Sequence, residues 1–243
     1  MKIKGFLIAG IIFAFLGIGL CIFATTLDGF KIDTTYEQKQ LEIGEVNSIR
    51  YEGSQDNLII VPASDEKTHL NYYENNMYKY KINYNELTKE LVITQKGHNF
   101  FSIGNENKNF KIEVYGLVNN LDIDTNAGNI EVKYLDISNV NIDLDAGNIT
   151  LENMNINKLC CNIDAGNFDS TNINSSTVNI DLDAGNILYD GKILTSFIGD
   201  IDVGDCILKL SQISDEFIIN DIGNGPIVIN YDLDFGDFDI IYK

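Results

Sequence analysis

"IDLDAGNI" occupies Ile142–Ile149 and returns letter for letter at Ile180–Ile187, with "DTNAGNI" at Asp124–Ile130 and "NIDAGNF" at Asn162–Phe168 as close variants. Working outward from these stretches, glycines recur every 19 residues without insertion or deletion, at Gly128, Gly147, Gly166, Gly185, Gly204 and Gly223. The residue after each is Asn129, Asn148, Asn167, Asn186, Asp205 and Asn224, and the residue before is alanine four times, then Val203 and Ile222. Self-similarity at one fixed period of this size marks a stacked architecture.

Inside each unit the pattern alternates with period two, the period of a strand. Ile142, Leu144 and Ala146 are expected on one side, Asp143 and Asp145 on the other, and Ile149 and Leu151 return to the inner side past the corner. A turn such as Asp-Ala-Gly-Asn needs φ > 0 at its third position, which glycine adopts without a Cβ clash. The asparagine after it can bond neighbouring backbone and, if units stack, form a ladder. A β-solenoid with one coil per unit and an antiparallel meander with a hairpin at each Gly-Asn both suit the alternation. Constant unit length favours the solenoid, because coils must stay equal to stack.

The expected fold class is therefore all-β: a β-solenoid of about six 19-residue coils over residues 122–243, closed by a degraded C-terminal cap around Gly236-Asp237. One core column would read Ile123, Ile142, Cys161, Ile180, Gly199 and Ile218. Residues 28–121 differ in kind, with more lysine, most of the tyrosine, and apolar runs "NLIIVPA", "ELVITQK" and "FKIEVYG" at wide spacing. They read as a β-rich entry segment.

Residues 1–27 carry a separate signal. Gly5–Leu27 is 23 residues without a charge, long enough to span a ~30 Å hydrocarbon core as a helix. Lys2 and Lys4 precede it and Asp28 follows. The expectation is a retained single-pass transmembrane anchor in the cell membrane, N-terminus cytoplasmic and the rest extracellular, rather than a cleaved leader.

Charge narrows the partners. The net charge is −19, and from Asp122 onward 22 acids face five lysines, while Arg50 is the sole arginine. Phosphate binding needs clustered Lys and Arg, so nucleic acid is excluded as a partner, as is docking on anionic lipid headgroups. Cys160, Cys161 and Cys206 show no C-x-x-C spacing, and the adjacent pair should point to opposite faces of a strand.

In their order, the anchor, "DNLIIVPA" (Asp56–Ala63), "LVI" (Leu91–Ile93), the Phe- and Gly-bearing loop Asn99–Gly104, "KIEVYG" (Lys111–Gly116) and the Gly-centred units resemble the bacterial "putative adhesin" domain family of unknown function. The resemblance implies a β-solenoid outside the membrane, in some members beside cell-envelope stress regulators, and it supplies no catalytic residue or cofactor. Departures are "VYG" where an apolar-proline end is common, and mostly Asn rather than Asp after the glycines.

No catalytic constellation is legible. Only His69 and His98 could serve as imidazole bases, and no G-x-S-x-G, P-loop or dinucleotide fingerprint occurs. What the outward positions offer is rows of carboxylates: Asp124, Asp143, Asn162, Asp181 and Asp200 in one, Asn126, Asp145, Asp164, Asp183, Asp202 and Asp221 in the next. Asp143, Asp145, Asp164, Asp181, Asp183, Asp200 and Asp202 thus form a candidate acidic ligand face. At ~4.8 Å spacing such oxygens suit Ca²⁺, although the Gly-Gly-x-Gly-x-Asp nonapeptide is absent.

The expected function is a non-catalytic, membrane-anchored cell-surface module, adhesive or envelope-stress-associated, with a cell-surface protein or glycan as partner and no cofactor. The alternatives are an envelope carbohydrate-active enzyme using outward Asp residues and a purely structural surface spacer.

Overall fold

The computed structural model describes residues 36–75, 78–96, 109–210, 217–219 and 227–242, within a compact unit that runs from Tyr36 to Lys243. Every described element is a strand: β1 (Glu37–Ile43), β2 (Ser48–Gly53), β3 (Asn57–Pro62), β4 (Thr68–Glu74), β5 (Lys79–Asn85), β6 (Glu90–Lys96), β7 (Asn109–Val114), β8 (Asn120–Ala127), β9 (Ile130–Lys133), β10 (Asp136–Val203), β11 (Cys206–Leu210), β12 (Phe217–Ile219), β13 (Ile227–Phe235) and β14 (Phe238–Tyr242). They form one 14-stranded sheet in the order β1-β4-β7-β3-β9-β10-β8-β2-β6-β5, with β11, β12, β13 and β14 attached beyond β10.

The sheet wraps nearly closed, like a barrel wall, because β10 is 68 residues long and turns corners without losing its ladder. Its residues 139–146 pair in parallel with β8, and 149–152 with β9, each one unit length away. One wall therefore runs β5, β6, β2, β8, β10, β13, β12, and the other β1, β4, β7, β3, β9, β10, β11, β14. Pairing is parallel along the stack and antiparallel only where β5 and β4 join and β1 closes on β4.

Alternation decides what lies between the walls. Tyr51, Ile123, Ile142, Cys161 and Ile180 stack inward, all at most 4% exposed, and Ile49, Leu121, Val140, Leu159, Val178 and Phe197 form the neighbouring column. Burying each such side chain contributes about 1.5–3 kcal/mol, so the columns dominate the stability. Gly199 leaves a gap in the first column. The Phe197 ring covers it, with Cε1 only 2.9 Å from where a β-carbon would sit. Cys161 is buried and Cys160 half-buried, both as free thiols.

This architecture corrects several expectations. The six-coil solenoid preceded by a β-rich entry segment is replaced by one wrapped all-β sheet, in which β2 lies in register on β8 and β3 on β9. Those strands lack the 19-residue spacing, so periodicity could not reveal them. At the other end the spacing breaks as well. Gly199 pairs with Tyr231 and not with Ile218, because the next layer is supplied by β13, 32 residues on.

Ala146 is exposed at the corner, since the chain bends outward before each glycine. The transmembrane helix also fails to find support. No helix among the described residues is long and apolar enough to cross a membrane, and Gly5–Leu27 lies outside the described residues. The single-pass topology, the cytoplasmic N-terminus and the membrane as a partner rested on that helix alone and find no support among the described residues.

Candidate functional site

Each Gly-Asn corner is built by close stacking. Gly128, Gly147, Gly166, Gly185 and Gly204 have φ between +124° and +157°. A β-carbon on Gly166 would sit 1.5 Å from the carbonyl oxygen of Gly147 below it. Glycine is thus required by the neighbouring layer as much as by its own dihedral angle. Gly223 lies outside the described residues, and Gly236 takes the next place, stacked on Gly204.

Beside the glycines runs an amide ladder. The backbone N–H groups of Asn148, Asn167 and Asn186 donate to Oδ1 of Asn129, Asn148 and Asn167 at 3.1–3.2 Å, and the side-chain Nδ2 groups donate to the same oxygens. Asn57 starts the ladder beneath Asn129, while Asp205 and Asp237 end it. Sequence spacing missed Asn57, which lies 72 residues before its partner.

The outward side of β8 and β10 carries the acidic rows. Asp143, Asp145, Asp164, Asp181, Asp183, Asp200 and Asp202 are all exposed, and the register places Asp143 on Asp124 and Asp124 on Glu52. Where an asparagine interrupts a row it donates to a carboxylate of the adjacent layer: Asn162 to Asp143 at 3.1 Å and Asn141 to Asp122 at 2.9 Å one layer below, and Asn126 to Asp145 at 2.8 Å one layer above. From Asp164 to Asp183 to Asp202, and from Asp181 to Asp200, no asparagine intervenes in the row.

The electrostatics follow. Partial desolvation first, then the neighbouring carboxylates led by Asp200, push the Asp181 carboxyl above its ordinary value; Asp124 is raised likewise, with Asp143 the leading neighbour. Like charges this close disfavour full ionisation. At the first layers a depression of about 240 Å³ is lined by Arg50, Glu52, Asp122, Asp124, Asn141 and Asp143, with Arg50 Nε 3.5 Å from Asp122 Oδ2. Arg50 and Glu52 were invisible to the repeat count because β2 carries no Gly-Asn corner. Among the described residues no group of three or more His, Cys, Asp or Glu could hold a metal ion.

Sequence reasoning also missed a buried polar cluster. Asp56, 4% exposed, accepts hydrogen bonds on one oxygen from Tyr51 Oη and Tyr80 Oη, both at 2.5 Å, and Tyr78 Oη lies 2.9 Å from Tyr80 Oη. Burial raises the Asp56 carboxyl above its ordinary value while the two tyrosines pull it back. Phe110 packs against Tyr51, Tyr72 and Tyr80 around it. His69 holds Asp65 at 2.7 Å on the surface, and His98 lies outside the described residues.

Fold and surface together define an all-β domain with a repeated acidic face. The family model for Toastrack DUF4097 matches residues 46–221, and the chain belongs to that family. No curated protein matches it. A crystal structure described as a "putative adhesin" from Bacteroides fragilis NCTC 9343 is similar at a TM-score of 0.56 and 16% identity, covering 86% of this chain and 98% of that one. A "putative adhesin" from Parabacteroides distasonis ATCC 8503 gives 0.42 and 12%, covering 86% and 98%. A "putative lipid binding protein" from the same strain gives 0.45 and 12%, covering 87% and 98%. The first supports the fold alone, and the other two are too loosely superposed to carry an argument.

Proposed function

We propose that this chain is a non-catalytic, adhesin-like β-domain whose acidic face binds amine-bearing groups of a cell-surface protein or glycan. The observation that carries this reading is the outer wall of β8 and β10, where Asp143, Asp145, Asp164, Asp181, Asp183, Asp200 and Asp202 are all exposed and Lys158 is the only cation within residues 120–126, 139–146, 158–164, 177–183 and 196–202. A rigid row of carboxylates at ~4.8 Å spacing presents many weak contacts at once, and multivalency turns these into useful avidity. The name of the Bacteroides fragilis relative supports adhesion as the setting. Aspartates repeated evenly from layer to layer, with no single layer marked out as a site, support binding rather than acid–base catalysis by one dedicated carboxyl pair.

The test uses a cationic glycan, oligomeric chitosan, with its fully N-acetylated counterpart as the neutral control. Binding is expected for the first only, weakening with salt. It should drop at least tenfold in an Asp181→Asn, Asp183→Asn, Asp200→Asn, Asp202→Asn variant that still melts cooperatively. Equal binding of both glycans, or unchanged binding by the variant, would sink the assignment.

A further inference from the structure

The outer wall formed by β5, β6, β2, β8 and β10 changes character halfway along its stack. The ladder registers set Lys81 against Thr94, Thr94 against Glu52, Glu52 against Asp124 and Asp124 against Asp143. In the row alongside, Lys79 lies directly opposite Lys96. Lys79, Lys81 and Lys96 are exposed, and no ion pair joins any of them to an acid among the described residues. Like charges set opposite each other destabilise a strand pair. The β5–β6 hairpin therefore carries a cost that an acidic partner would relieve.

In the first four strands of this wall, residues 79–85, 90–96, 48–54 and 120–126, four cations meet four acids. In the next four segments, 139–146, 158–164, 177–183 and 196–202, seven acids meet Lys158 alone. Unpaired amines thus stand at one end of the wall, and the excess of carboxylates fills the other half.

A two-fold axis parallel to the strands, between β8 and residues 139–146, lays the wall on a second copy with its halves exchanged. β5 then meets residues 196–202, β6 meets 177–183, β2 meets 158–164 and β8 meets 139–146, and each row stays opposite itself. Lys79 comes to Asp202, Lys81 to Asp200 and Lys96 to Asp183, each contact made twice by the symmetry. Nearer the axis amides fall opposite carboxylates: Asn126 to Asp145, Asn141 to Asp122 and Asn162 to Glu52. Asp124 does meet Asp143, but partial desolvation already raises the Asp124 carboxyl, which lessens that repulsion. Eight layers at ~4.8 Å and strands of about seven residues at ~3.4 Å offer at most about 900 Å² per copy. A standard stable interface uses about 800 Å² per partner. The net charge of −19 opposes approach, and physiological salt screens it beyond ~8 Å while sparing direct contacts.

We propose that two copies of this chain pair face to face through this wall, Lys79, Lys81 and Lys96 of each seated on Asp202, Asp200 and Asp183 of the other. This rests on the reading of the acidic rows as an amine-binding face and names the amines as those of a second copy. The contact is isologous, so it stops at a pair.

The experiment mixes full-length chain of natural isotopic abundance with ¹⁵N-labelled full-length chain at about 0.15 M NaCl. A carbodiimide couples lysine amines to touching carboxylates, and linked peptides are identified by mass. Mixed-isotope links from Lys79, Lys81 or Lys96 to Asp183, Asp200 or Asp202 are expected, with a concentration-dependent dimer in sedimentation. One variant carries Lys79→Glu, Lys81→Glu and Lys96→Glu; another carries Asp183→Lys, Asp200→Lys and Asp202→Lys. Each alone should dimerise at least tenfold more weakly. An equimolar mixture of the two should recover the dimer, because every reversed pair is then matched again. Links confined to chains of one isotope, mixed links that spare the three lysines, or dimers indifferent to charge reversal would overturn the proposal. The parent cross-links decide the matter even where a variant does not melt cooperatively. The lysine-reversed chain keeps every aspartate and should bind oligomeric chitosan as the parent does. Chitosan binding without any dimer removes this proposal alone, and loss of both removes the amine-binding face itself.

Discussion

At the corner, single atoms decide. Gly166→Ala places a β-carbon 1.5 Å from the Gly147 carbonyl oxygen, a clash between backbones that no rotamer relieves. A loss of at least about 3 kcal/mol is expected, at the upper end of single substitutions. Asn167→Ser keeps the backbone and loses only ladder bonds, costing about 1 kcal/mol. Thermal melts of the two variants against the parent check this contrast. Tyr134 points the other way. It holds φ of +59° in the place where Asn153 and Asn172 sit at +53° and +55° in the next two layers. Asparagine tolerates that conformation better, so Tyr134→Asn should stabilise by about 1 kcal/mol, read as a higher melting temperature. The need for glycine was legible from its spacing. The reason of greatest weight, the oxygen one layer below, was not, because it arises only once layers are in contact.

Strands carry the next level, and burial sets their pH response. Asp56 between β2 and β3, and Asp124 and Asp181 in β8 and β10, all have carboxyls raised above the ordinary 3.8. A raised folded value means the native state holds protons more tightly than the unfolded chain. Their stabilisation is complete below the unfolded value and is lost as pH rises through the folded one. Exposed Glu42 and half-buried Glu152 shift downward through Lys67 and Lys133, and such surface ion pairs contribute little. The melting temperature should therefore rise as pH falls from neutral through the raised folded values toward the ordinary 3.8, and Asp181→Asn should flatten that rise. Tyr80→Phe removes one donor from Asp56, costs about 1–3 kcal/mol, and should steepen it. Period-two alternation made the strands of β8 and β10 readable from the letters alone. The Asp56 cluster stayed hidden because its partners come from β2 and β5, which no periodicity connects.

Over the whole molecule, charge opposes the stack. Aspartates in neighbouring layers lie well inside the Debye length of ~10 Å at 0.1 M salt. Added NaCl should raise the melting temperature gradually, by about 2–4 °C for a gain of about 1 kcal/mol in a chain this size. CaCl₂ at equal ionic strength should add nothing more; a calcium-specific rise lost in Asp164→Asn would instead mark a metal site. The acidic wall was legible because its positions are regular in the repeat. The layers at either end were not. Asn57 pairs across 72 residues and Gly236 with Gly204 across 32, distances set by loops that carry no repeat.

Because each amide in the ladder answers to one 19 residues away, the gene has a natural quantum of change. Copying residues 148–166 in tandem adds one whole layer and returns every later glycine to its place over another glycine. An insertion one residue shorter turns every downstream core residue outward at a stroke. The chain can thus lengthen or shorten by duplication and deletion of complete units while remaining folded. Point changes at the corners are punished, and the reach of the acidic wall is free to vary from one descendant to another.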